Sequence, residues 1–156
     1  MKFFFGGFGD ARHVFSTLID IHTQAVLNLS VKQQKHLKIS LVVNDIKPHP
    51  LAKFLIIIAA SRKLSEFEYN DIGSNVEATK AAAVLMYVFI SHVMPSNIEK
   101  EIAAIIRNLI DSDLLSDEWR SIRIDKNNWQ KVKHVLLEQW SRTSPLSTPK
   151  IMKLWA

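Results

Sequence analysis

Five residues near the two ends of one short segment have the types and spacing to meet a small ligand. Gly6, Gly7 and Gly9 surround Phe8, Asp10 follows at once, and Asp45 closes a later apolar run. Glycines let a backbone approach a ligand closely, and the helix start after such a loop offers free amides at the positive end of its dipole. An acidic residue at the end of the next strand is placed to hold a ribose. The chemistry these residues suggest is binding of a nucleoside cofactor, with Gly6, Gly7, Gly9, Asp10 and Asp45 as its contacts.

The match to a dinucleotide fingerprint is partial. The loop reads Gly-Gly-Phe-Gly rather than Gly-x-Gly-x-x-Gly, and Asp45 lies well beyond the usual spacing of about 20 residues. Asp10 would repel a pyrophosphate. A cofactor without phosphates, S-adenosylmethionine, therefore suits the loop better. A second reading needs no ligand: the glycines make a tight turn, Asp10 caps the helix that follows, and Asp45 organises the Asn44-Asp45 turn.

These residues need particular elements to position them. Lys2 to Phe5 is an aromatic run ending in glycine, which predicts a strand apolar on both faces, as in the centre of a parallel sheet. Three of the four glycines fall within Gly6 to Gly9, so unusual backbone angles are expected there. Val14, Phe15, Leu18, Ile19, His22 and Val26 recur at helical spacing and predict a helix over 11–27. Leu37 to Val43 predicts the second strand. Pro48 and Pro50 predict the start of an apolar helix over 51–63, because proline suits a first helical turn.

Beyond this point the chain reads as helical. Ser74-Asn75-Val76-Glu77 and Ser96-Asn97-Ile98-Glu99 have the form of capping boxes before apolar runs. Trp129, Val132, Leu136 and Trp140 predict one face of a last helix. Two strands make a poor sheet alone, so a third is expected near Ser121 to Ile124, in another chain, or in sequence beyond Ala156. The fold class expected is α/β: a small Rossmann-like, methyltransferase-resembling β-α-β-α unit with a helical extension. A single domain is expected over 1–143, with 144–156 as a linker or tail continuing into a longer protein.

Composition narrows the function classes. The chain has no cysteine, which removes disulfides and thiolate metal sites and fits an intracellular, cytoplasmic setting. The formal net charge is +5, but the basic residues are scattered, which points to a solvated surface rather than a nucleic-acid interface. Neither apolar run, Phe54 to Ala60 or Ala81 to Ile90, approaches the roughly 20 residues that span a bilayer. The six histidines show no metal-ligand spacing; His22 and His92, within apolar helices, read as core or boundary residues. The four tryptophans crowd the C-terminal third, with Trp155 the best candidate for a partner surface.

The segment from Phe4 to Phe15 and the segment from Leu37 to Leu55 together resemble domain-of-unknown-function family 4470. The resemblance rests on Gly9-Asp10-Ala11-Arg12, on Asn44-Asp45 after a strand, and on Ala52-Lys53 opening an apolar helix. It implies a Rossmann-like, methyltransferase-resembling fold without an established activity or catalytic residues. The family occurs in many fungal proteins, often with a MYND-type zinc finger, and is similar to the N-terminal region of dynein axonemal assembly factor 3. Lys53 stands where the family usually has arginine, and lysine lacks the bidentate fork. The function expected is a non-catalytic interaction or scaffold domain with a protein partner or self-association. The alternative is an S-adenosylmethionine-binding domain acting as a methyltransferase.

Overall fold

The computed structural model describes residues 1–7, 9, 11–90, 94–112 and 124–140. The chain divides into two compact units, 1–51 and 52–156.

The first unit opens with strand β1 (Lys2–Gly6), followed by helices α1 (Arg12–Asn28) and α2 (Val31–His36) and strand β2 (Ser40–Asn44). The strands are parallel and in register from Lys2 opposite Ser40 to Gly6 opposite Asn44. This is a β-α-β crossover, as the aromatic run and the later Leu-Val-Val segment predict. Among the described residues the sheet has two strands, and β1 pairs on one side only, with β2. Both strands alternate: Phe3, Phe5, Leu41 and Val43 are half-buried, whereas Phe4 and Val42 are exposed. The expected third strand near Ser121 lies outside the described residues, apart from Ile124.

Helix α1 buries or half-buries the first half of the expected stripe, Val14, Phe15 and Leu18, but not the second. Val14 and Ala25 are buried, and Leu18 and Ile21 between them are half-buried. Their spacing of four, three and four residues makes one helical face. Ile19, His22 and Val26 point into solvent, so His22 is neither core nor boundary. Small Ala25, not a bulky neighbour, marks the inward face.

Helix α2 carries too few apolar residues to announce itself by periodicity. Its start is nonetheless closed by a capping box: the Gln33 amide donates to Ser30 Oγ, and Gln33 Oε1 accepts from the Ser30 amide at 2.9 Å. Leu37 ends this helix by donating its N–H to Gln34 O, which is why β2 begins only at Ser40.

Helix α3 (Pro48–Leu64) contains the boundary between the units. Both prolines sit in its first turn, where amides have no helical acceptor. Arg62 and Lys63 occupy the last turn, favourable for the negative end of the dipole. Ile56 and Ile57 are fully buried in this helix, so the proline start and the alanines override the strand propensity of an isoleucine run.

The second unit continues through a short 3-10 turn (Tyr69–Asp71) to α4 (Val76–Ile90), α5 (Ser96–Asp111) and α6 (Lys126–Val135), the last followed by a π-helical turn (Leu136–Trp140). Neither predicted capping box forms. Asn75 caps α4 instead, its Oδ1 accepting from the amides of Glu77 at 2.9 Å and Ala78 at 3.3 Å. Ser74 donates to Asn70 O. At α5 the cap position belongs to Pro95, which moves Ser96 into the helix and leaves Glu99 Oε1 buried without a hydrogen-bond partner. Asp125 caps α6 through the amides of Asn127 and Asn128.

Ile98, Ile102, Ile106 and Leu109 form the buried stripe of α5. Each such side chain removed from water contributes about 1.5–3 kcal/mol. Above this core, four charges of alternating sign link α3, α4 and α5. Lys63 Nζ lies 3.1 Å from Glu77 and 3.7 Å from Glu101; Lys80 Nζ lies 2.8 Å from Glu77 and 3.5 Å from Glu101. Lys80 and then Lys63 hold the Glu77 carboxyl below its ordinary range, while Glu77 holds Lys80 above its own. The ring is partly exposed and screened, so it registers the helices more than it stabilises them.

Candidate functional site

The first unit brings the glycine loop and the end of β2 together. Gly6 is the last residue of β1. Gly7 extends the ladder by one bond, its N–H donating to Asn44 O at 2.7 Å. Gly9 then donates its N–H to Asp45 Oδ2 at 3.1 Å. The other carboxylate oxygen, Asp45 Oδ1, accepts from the Lys47 N–H at 3.0 Å, closing an Asx-type turn. Asp45 thus fastens the loop after β1 to the turn after β2. The Lys47 amide, then the Gly9 amide, and more weakly the Lys47 charge hold its carboxyl below the usual aspartate range.

The loop owes its path to left-handed backbone. Gly7 and Gly9 both have φ near 60°, a region that glycine enters without steric cost. Ala11 follows with φ 67°, and it is the one described non-glycine residue with a positive φ. Ala11, not Asp10, occupies the cap position of α1, and its side chain offers no capping hydrogen bond. It is also buried, at 1% exposure. Its small methyl suits a left-handed conformation at a buried position.

Of the predicted contacts, Gly6, Gly7, Gly9 and Asp45 converge at one end of the sheet. Asp10 and Phe8 lie outside the described residues. His13 is exposed in the first turn of α1. The Lys47 amide on Asp45 is the kind of turn contact that the ligand-free reading expects, whereas the Gly9 amide as the other partner of Asp45 had no signal in the sequence. Sequence reasoning missed the Lys63–Glu77–Lys80–Glu101 ring, signalled only by the i,i+3 pair Glu77 and Lys80.

Among the described residues, no group of three or more His, Asp or Glu is placed to hold a metal ion. Among them also, no helix is long and apolar enough to cross a membrane. His92, Trp119 and Trp155 lie outside the described residues.

No curated protein and no solved structure matches the chain significantly. Residues 1–94, which contain both strands, the glycine loop and Asp45, match a family described as a domain of unknown function. That match covers more than half of the chain, and with it the chain belongs to the DUF4470 family.

Proposed function

We propose that the chain is a non-catalytic protein-interaction or scaffold domain, in which a degenerate Rossmann-like nucleotide-binding unit serves as architecture. The observation that carries this reading is the Gly9–Asp45 hydrogen bond. In a working nucleotide site the loop amides and the acidic strand end face the ligand. Here a loop amide is spent on the acidic residue itself, and the other oxygen of that residue is held by Lys47. Phe4 and Val42, register partners on the two strands, are both exposed, which suits an interaction role.

A second reading keeps Gly6, Gly7, Gly9, Asp10 and Asp45 as contacts for S-adenosylmethionine. It is favoured by the start of α1, where the Ala11 side chain caps no amide and the first turn carries no acidic residue. It is also favoured by the open space beside Gly7 and Gly9.

Calorimetric titration separates the two. With folded protein, neither S-adenosylmethionine nor S-adenosylhomocysteine is expected to give binding heat up to millimolar concentration. Saturable heat that is lost in D45A would overturn the scaffold reading and establish the second.

A further inference from the structure

The geometry points to a second copy of this chain as the partner of β1, added edge to edge and antiparallel through a two-fold axis at Phe4. This rests on the reading of the first unit as an interaction module and names its partner.

The ladder fixes which backbone groups of β1 face outward. Ser40 N–H bonds Met1 O, and Gly7 N–H bonds Asn44 O. In a parallel pair the residues of one strand alternate between facing the neighbour and facing away. Met1, Phe3, Phe5 and Gly7 therefore face β2, and Lys2, Phe4 and Gly6 present their N–H and C=O groups to the outer edge. Among the described residues nothing pairs with that edge. Natural sheets protect such edges with proline, bulges or inward charges. The Lys2-Phe3-Phe4-Phe5-Gly6 strand has none of these beyond a lysine at its first position.

The edge is complementary to itself. With a two-fold axis at Phe4, Phe4 and the partner's Phe4 exchange both N–H···O bonds. Lys2 pairs with Gly6 of the partner subunit, so no like charges are opposed. Phe3 lies opposite the partner's Phe5 on the half-buried face. The result is a four-stranded sheet in the order β2, β1, then the partner's β1 and β2, and cross-strand aromatic pairs are among the more favourable ones in sheets. It gives Phe4, now 70% exposed, a neighbour on its own face. A five-residue edge buries less than a standard interface of about 800 Å² per partner, so the dimer is weak and concentration-dependent.

The absence of cysteine provides a clean probe, because F4C carries a single thiol. Across a hydrogen-bonded antiparallel pair the Cα atoms lie about 5.5 Å apart, within disulfide reach. At position 42 the two copies would be separated by three strand spacings, roughly 14 Å, which is out of reach.

Sedimentation of the wild-type chain from about 10 to 300 μM, a range suited to a small interface, should show its mass rising towards that of a dimer. Mild oxidation should link F4C and leave V42C unlinked. F4P removes an outward N–H and spares the inner ladder, so it should stay monomeric with a wild-type circular dichroism spectrum. If F4P does not fold, the cysteine pair decides. A wild-type monomer throughout, linkage of V42C instead of F4C, or dimerisation of folded F4P would each overturn the proposal. A monomer would remove the second copy as partner while leaving the interaction reading to the ligand titration. Binding heat from S-adenosylmethionine would remove that reading whatever the mass.

Discussion

Ala11→Val is expected to destabilise the chain by about 3 kcal/mol, measured as a loss of unfolding free energy in urea. Two effects add. A β-branched residue in left-handed backbone is a steric outlier, and positions held there cost on the order of 1–3 kcal/mol. Overpacking a filled site adds about 1–3 kcal/mol, and Ala11 is 1% exposed. Ala11→Gly separates the two. It relieves roughly 1 kcal/mol of backbone strain. It also gives up a buried methyl, about 0.8 kcal/mol, and loosens the unfolded chain by about 0.4–1 kcal/mol. The net change should stay within about 1 kcal/mol of zero. A valine variant as stable as wild type would show that the turn after the glycine loop does not constrain α1.

Ile106→Ala is expected to cost about 3–4 kcal/mol in the same measurement. Ile106 is 1% exposed, at the centre of the α5 stripe between Ile102 and Leu109. Truncation removes the transfer free energy of the lost carbons and leaves a cavity that rigid neighbours fill only in part. Ile106→Val should cost about 1 kcal/mol. Near-equal effects of the two substitutions would mean that α5 relaxes around the gap.

The sequence announces some of this structure and conceals the rest for identifiable reasons. The aromatic run before Gly6 and the Leu-Val-Val run before Asn44 mark both strands, because composition and turn residues agree. Pro48 and Pro50 mark the start of α3. The caps are less legible. Ser74 and Asn75 rank almost equally as N-caps, and the choice falls to the residue whose oxygen reaches the amides of Glu77 and Ala78. Ser96 loses its cap to Pro95, whose fixed φ sets the entry into α5. Helix α2 is hidden from any search for apolar periodicity and betrayed only by Ser30 and Gln33. The later part of the inward face of α1 is hidden because it is marked by small Ala25, while bulkier Ile19 and Val26 face water.

The candidate site follows the same pattern. Residue types place glycines and an aspartate at the ends of two parallel strands, and the structure brings them together. Spacing along the chain does not state what they bond to. Whether Asp45 meets a ligand or a loop amide depends on where the left-handed turn aims the Gly9 N–H, which no local motif encodes. That bond also carries a pH signature. Asp45 is held below the usual aspartate range by the Lys47 and Gly9 amides. Its folded pKa therefore lies below its unfolded value of about 4. The stability it contributes is complete above the unfolded value and is lost as pH falls through the folded one.

The most direct test of the claim that the loop is architectural is the Gly9 amide resonance, followed by heteronuclear NMR as pH is lowered. An acid transition of the Gly9 and Lys47 amides together is expected, with a midpoint below about 4, absent in D45N and unmoved by millimolar S-adenosylmethionine. A Gly9 amide that ignores the titration of Asp45, or that shifts saturably with S-adenosylmethionine at neutral pH, would contradict that claim.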